Sequence, residues 1–203
     1  KYFDGGSRAT PAVADGILYL ASHEGAFFAI EAKTGKVLWS KHLIKDFNGR
    51  RPTWGFSGSP LISDGKVIVD TGSKDGALVA MNAKTGDLVW RGGSDEAGYA
   101  SPMLRANKPT EILVFNRSGL CSFLLADGRP LYRFQHKTRY GINVAQPLDT
   151  GNSILISSAY GKGSALVDVS GRTAKAVWET ESFSSQMASL VKKDNYAYGI
   201  HGQ

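Results

Sequence analysis

The segment AIEAKTGKVLW at residues 29–39 is written again, nearly unchanged, as AMNAKTGDLVW at residues 80–90, so every shared position is displaced by 51 residues. Thr-Gly marks a tight turn, because glycine enters positive φ without steric cost. The short apolar runs on either side have the length of strands rather than helices. The word is therefore a strand, a turn and a second strand ending in tryptophan, used more than once.

Working outward, each copy is preceded by a similar opening, TPAVADGILYL before the first and SPLISDGKVIV before the second. Openings at Pro11, Pro60, Pro102 and Pro147, with Ser189 in the corresponding place of a fifth, recur at intervals of 42 to 49 residues. That interval suits a propeller blade of four strands. Asp15-Gly16 and Asp64-Gly65 have the composition of two-residue hairpin turns. They lead into β-branched or aromatic runs at 17–20 and 67–69, with counterparts at 112–115 and 154–156. No sustained helical period occurs. The fold class expected is all-β, a β-propeller of four-stranded antiparallel blades. Residues 1–203 are expected to form a single partial propeller, with blades at about 7–43, 56–93, 99–135 and 143–181 and part of a fifth at 186–203. The first strand of each blade would line a central channel, and about four and a half blades of a seven- or eight-bladed ring would be present.

A blade cannot cover its own two faces, so neighbours must dock. A large flat ring packing over a small residue and a glycine turn is one way to do it. Ala29, Gly35 and Trp39 are the docking set of the first unit, and Ala80, Gly86 and Trp90 that of the second. Gly128 and Tyr132 keep the frame in the third. Trp178 ends the fourth, but Gly171 lies seven residues before it rather than four, which predicts a longer turn.

Composition narrows the function. A 203-residue chain that is 42% hydrophobic and 21% charged is ordinary for a globular protein. No apolar run is long enough for a membrane-spanning helix, and the opening KYFDGGSRATP lacks the apolar stretch of a signal peptide. The net charge of +6 is scattered along the chain rather than massed, which argues for solvated surface and against nucleic-acid binding. Cys121 is the single cysteine and lies in the apolar run GLCSFLL, where it reads as a small buried hydrophobe. His23, His42, His136 and His201 share no metal-ligand spacing and read as surface or satisfied histidines.

The pattern Ala-x-(acid or amide)-x-x-Thr-Gly-x-x-x-Trp resembles the tryptophan-docking motif of the quinoprotein-like β-propellers, named after pyrroloquinoline quinone (PQQ). Ala29, Glu31, Thr34, Gly35 and Trp39 match it, as do Ala80, Asn82, Thr85, Gly86 and Trp90. The runs DFNGRRPTWGFSGSPL and GSKDGALVAMNAKTGDLVW look especially like the PQQ-like repeat proteins of planctomycetes. That resemblance implies a periplasmic or other extracytoplasmic setting. The family contains quinone-dependent alcohol and sugar dehydrogenases as well as non-catalytic members, such as the lipoprotein of the outer-membrane β-barrel assembly machinery. The dehydrogenases hold PQQ with Ca²⁺, place a disulfide of adjacent cysteines over the cofactor and use an Asp as base. Cys121 has no adjacent partner, and no segment here resembles the Ca²⁺-binding or catalytic signatures. Asp15, Asp64, Asp127 and Asp149 sit at turn positions and are explained by turn formation. The expectation is a non-catalytic binding or scaffold module without a cofactor. Its partner would be a protein, a peptide or a small anionic ligand, and missing parts of the chain or another chain would complete the ring. The alternative is a PQQ-dependent dehydrogenase.

In this topology the loops entering each first strand gather around the channel mouth. The longest, 21 residues from Trp39 to Pro60, carries Arg50, Arg51, Trp54 and Phe56. Guanidinium groups bind carboxylate or phosphate bidentately, and an indole adds a stacking face. Tyr99, Tyr140 and Asn143 fall in the next two loops, and Lys74, Tyr160 and Lys162 in second-to-third-strand turns on the same side. These are the candidate ligand-binding residues. The competing reading has Trp54 and Phe56 pack the long loop onto its blade and leaves the arginines solvated.

Overall fold

The structure, a computed structural model, describes residues 6–202. Residues 1–5 and 203, the two ends of the expected array, lie outside the described residues. The chain forms two compact units, the first ending at Ala97 and the second starting at Gly98. The fold is an all-β propeller built from four-stranded antiparallel blades.

The first unit contains two blades. Blade 1 is β1 (Ala12–Ala14), β2 (Ile17–Ala21), β3 (Ala26–Glu31) and β4 (Val37–His42), and blade 2 is β5 (Leu61–Ser63), β6 (Lys66–Asp70), β7 (Leu78–Asn82) and β8 (Leu88–Gly92). Each blade is hydrogen-bonded in chain order. The Asp15-Gly16 and Asp64-Gly65 turns take consecutive positive φ values of 49° and 75°, and of 49° and 67°. This is the geometry whose twist suits a two-residue hairpin.

The second unit holds blade 3, with β9 (Met103–Arg105), β10 (Lys108–Asn116), β11 (Gly119–Leu124) and β12 (Pro130–Gln135). Blade 4 is β13 (Leu148–Asp149), β14 (Ser153–Ser158), β15 (Gly163–Asp168) and β16 (Lys175–Thr180), and the hairpin β17 (Val191–Lys193) and β18 (Tyr196–Tyr198) follows. Blade 3 departs from the expected pattern. Its second strand starts at Lys108 rather than 112, and its pairing with β9 slips between Lys108 and Ile112. An Ala106-Asn107 turn stands where the first two units have Asp-Gly.

The docking word folds the same way three times. Gly35 N–H donates to Glu31 O, Gly86 N–H to Asn82 O and Gly128 N–H to Leu124 O, at 2.9, 2.8 and 2.9 Å. The acid or amide at the third position caps the turn: Thr34 donates to Glu31, while Asn82 Oδ1 accepts from the Lys84 and Thr85 N–H groups. All four third-to-fourth-strand pairs carry a register slip just before the aromatic, between Ala29 and Ile30, Ala80 and Met81, Ser122 and Phe123, and Leu166 and Val167. The slip leaves Ala29 opposite Trp39 and Ala80 opposite Trp90, so the ring crosses a methyl-sized neighbour.

Between blades 1 and 2 the docking is complete. Trp39 stacks on Phe27 with centroids 5.8 Å apart and planes 20° from parallel, and tilts against Tyr19. Its indole N–H donates to Ala83 O at 3.0 Å, and the Tyr19 hydroxyl donates to the same carbonyl at 3.0 Å. Gly86 lies under the ring, where a Cβ would fall 2.8 Å from the indole carbons. These groups close the core of Tyr19, Phe27, Ala29, Val67, Val69, Val79 and Met81. Gly35 of the first unit, by contrast, has open space where a Cβ would stand. Trp90 is buried, whereas Trp178 is 43% exposed.

Candidate functional site

Blades 3 and 4 meet differently from blades 1 and 2. Tyr132 occupies the tryptophan position and packs on the core of Leu113, Phe115, Ile154, Ile156, Ala165 and Val167. Its hydroxyl donates to the Glu111 carboxylate, which also accepts from Ser122 Oγ at 2.9 Å. Burial and that carboxylate push the Tyr132 hydroxyl well above its usual range. Arg105, 1% exposed, sits 3.2 Å from Glu111 and 3.5 Å from Asp149, and donates to Gly151 O. Asp149 therefore does more than shape a turn, because it joins the two blades through Arg105. Gly171 has no atom near the place of a Cβ, so the fourth unit offers the ring no close glycine, and an ionic clasp stands beside Tyr132 instead. Arg105 carried no sequence signal, being a lone cation in a short strand.

At the opposite end of these blades, the loop 136–146, the turn 159–163 and the segment 181–190 come together. Asn143 is fully buried and ties the loop to the ends of the second strands of blades 3 and 4. Its Nδ2 donates to Asn116 O and His136 O at 2.7 and 3.1 Å, and its Oδ1 accepts from Ser158 at 2.6 Å. Expected at the mouth, Asn143 instead spends its amide inward, because the loop's buried carbonyls need donors. Its own carbonyl accepts from Tyr99 N–H, which places the half-buried Tyr99 by its backbone. Ser157 Oγ accepts from Ser185 N–H at 2.7 Å and lies 2.8 Å from Ser164 Oγ, tying down the last segment.

On this framework Tyr140 is 53% exposed and meets Tyr160 edge-on, with centroids 5.0 Å apart. Arg139 lies over the Tyr140 ring at 5.4 Å. Gln186, 4% exposed, donates from Nε2 to the Tyr160 hydroxyl at 2.9 Å, and its Oε1 has no hydrogen-bond partner among the described residues. Lys162 pairs with Glu179 at 3.1 Å.

His136 corrects the reading of the histidines. It is completely buried against Phe115 rather than at the surface, and among the described residues neither ring nitrogen makes a hydrogen bond of good geometry, the Gly163 backbone being only a weak partner. Burial, and secondarily Lys162, lower its pKa to about 4, so the ring is neutral at pH 7. The other three have contacts: His23 with Glu24 and Gly6 O, His42 with the Ile44 N–H, and His201 with the Ser184 N–H. Cys121 is buried, and Asn116 Nδ2 lies 3.3 Å from its sulfur.

The remaining candidates belong to the first unit. Arg50 pairs with Glu96 and Arg51 with Glu24, both as surface ion pairs. Trp54 is 45% exposed, with Arg8 bonded to its carbonyl, whereas Phe56 is buried against Gly25. Lys74 is exposed, beside Asp75, which accepts from Asn48. Thus Phe56 anchors the long loop and Trp54 stays at its surface.

Among the described residues, no three His, Cys, Asp or Glu side chains are grouped to hold a metal ion. Among the described residues, no helix is long and apolar enough to cross a membrane.

Indole docking, the repeated Thr-Gly turn and four-stranded blades together define a quinoprotein-like β-propeller. Residues 3–201 match the family described as outer membrane protein assembly factor BamB, and the chain belongs to that family. BamB of Xanthomonas campestris is 35% identical over 98 residues, covering 48% of this chain and 24% of that protein. The dehydrogenase subunit of a quinone alcohol dehydrogenase of Gluconobacter oxydans is 35% identical over 83 residues, covering 38% of this chain and 11% of the enzyme. The crystal structure of BamB from Moraxella catarrhalis superposes with a TM-score of 0.66 at 15% identity, over 96% of this chain and 55% of that one. This chain therefore spans about half of that propeller and a smaller part of the two sequence relatives.

Proposed function

We propose that this chain is part of a non-catalytic, quinoprotein-like propeller that serves as an extracytoplasmic binding or scaffold module. A ring of seven or eight blades would be completed by the rest of its own chain or by another chain. Rigid blades present loop side chains to a protein or peptide partner, or to a small anionic ligand. The observation that carries this reading is the end of blades 3 and 4, where Tyr140, Tyr160, Arg139 and Lys162 stand on loops tied together by the Asn143–Ser158 and Ser157–Ser185 hydrogen bonds. Aromatic and cationic groups on such a frame suit recognition. Arg50, Arg51, Trp54 and Lys74 would be a further set of contacts in the first unit. Extracytoplasmic placement is supported by relatives that bear the name of an outer-membrane assembly factor.

A photo-cross-linking residue at Tyr140 of the full-length protein tests this reading. It should yield one discrete protein adduct in cells, while the same group at exposed Lys84 should not. The second reading, a PQQ-dependent dehydrogenase with its cofactor at the channel mouth, is supported by the 35% identity to the quinone alcohol dehydrogenase subunit. PQQ and Ca²⁺ added to the full-length protein would distinguish the two. Tight cofactor binding with alcohol-dependent dye reduction would overturn the non-catalytic reading.

A further inference from the structure

Five described residues other than glycine adopt positive φ. Asp15, Asn48, Asp64 and Asp194 are the Asx residues that tolerate this region. The fifth is Tyr160, with φ of 58°, followed by Gly161 at 73°. Two consecutive left-handed residues make a turn in which Asn-Gly is the unstrained choice. An aromatic residue here strains the backbone, and such strain persists where the surroundings hold it and use it. The ring is not spent on the hydrophobic core, since it stays half-buried against the exposed Tyr140.

The groups around it define what would be recognised. Arg139 makes its stacking contact with Tyr140 and has no carboxylate within ion-pair distance among the described residues. Lys162 adds a second cation, in a surface pair with Glu179 that another carboxylate can enter. Among the described residues Gln186 Oε1 is a buried acceptor without a donor, held beside Tyr160 by the amide's own bond to that hydroxyl. A buried carbonyl in this state draws an N–H or O–H group. A fully deprotonated anion such as sulfate satisfies the cations but has no donor for Gln186. An extended peptide carries backbone N–H groups alongside side-chain carboxylates, and its flat or prolyl surfaces pack on tyrosine rings.

We propose that Tyr160, Tyr140, Arg139, Lys162 and Gln186 form a docking site for an acidic, extended peptide segment of a partner protein. The proposal rests on the binding-module reading and names the partner chemistry of that face.

The test uses the full-length protein and fluorescence anisotropy at low salt, with a labelled peptide of alternating proline and glutamate, its proline–lysine counterpart, and a galacturonate oligomer. The acidic peptide should bind and the basic one should not. Tyr160→Gly should weaken binding by about tenfold or more, as loss of one anchoring side chain does. Because the same change relieves backbone strain but removes the Gln186 hydrogen bond, the melting temperature should move by no more than about 3 °C either way. Tyr140→Ala should weaken binding to a similar degree. Should Tyr160→Gly fail to fold, Tyr160→Asn serves, since asparagine tolerates the same φ. Equal affinity of the Tyr160 variant and the parent would overturn the proposal. So would a falling melting temperature with binding retained, absence of charge preference, or preferred binding of the acidic sugar. If no peptide binds while cross-linking at Tyr140 still captures a partner, the peptide site fails and the binding-module reading stands.

Discussion

His136 makes stability depend on pH in a predictable window. Folding holds the imidazole neutral down to about pH 4, whereas an exposed histidine in the unfolded chain titrates near 6.5. Between those two values the unfolded chain binds more protons than the folded one, so stability falls as pH falls. The full difference is about 2.5 units, and at roughly 1.4 kcal/mol per unit it destabilises the fold by about 3.5 kcal/mol once pH drops below 4. His136→Leu removes the proton site and also the two ring nitrogens that lack a good hydrogen bond. At pH 7.5 it should be at least as stable as the parent. Urea unfolding of both proteins from pH 7.5 to 4 is the assay, read as the difference between their curves, because carboxylates common to both cancel. The gap should widen in the variant's favour below about pH 6.5 and level off near pH 4. Lys162→Met, which withdraws the neighbouring cation, should raise the lower edge of that window and so narrow it. Parallel curves, or a folded-state His136 pKa near 6.5 by NMR, would refute the argument.

Trp39→Ala should cost about 3 to 5 kcal/mol in urea unfolding, the range for deleting a large packed aromatic. Gly86→Ala combines positive φ with a Cβ 2.8 Å from the indole, whereas Gly35→Ala at the same φ of 76° meets open space. Paired melting curves should therefore show the Gly86 variant as the more destabilised. Arg105→Met leaves Glu111 and Asp149 buried without their cation and should cost about 3 to 5 kcal/mol, as removing one partner of a buried pair does. Restoration by Arg105→Lys should be incomplete, since an ammonium cannot reproduce the planar fork spanning Glu111, Asp149 and Gly151. Cys121 should react with a maleimide only as fast as the surrounding blade opens, which the dependence of labelling rate on urea would show.

Much of this architecture is local and therefore legible in the chain itself. The Thr-Gly turns, the Asp-Gly hairpins and the alanine opposite Trp39 and Trp90 depend on residues close together in the chain. Their repetition at blade length identified a four-stranded array without long-range information. The family resemblance rests on the same short-range word. The word indicates that an indole docks over a glycine turn, but that Trp39 covers Gly86 of the next unit and leaves Gly35 of its own open is visible only in the structure.

What the chain could not disclose alone depends on which distant segments become neighbours. Arg105 and Asp149 are 44 residues apart and have no periodic signature, yet folding desolvates both, and charge pairing among Arg105, Asp149 and Glu111 makes that tolerable. Asn143 looks like any loop amide until three backbone segments close around it. His136 has the composition of a surface histidine and the burial of a core residue, because Phe115 from another strand covers it. Tyr160 looks like an ordinary turn residue until its positive φ and its contact with Tyr140 are seen. Strands and turns are set by nearest-neighbour sterics and hydrogen bonding along the chain. Desolvation and charge pairing are set by the whole environment of a side chain, and that environment exists only once the blades have docked.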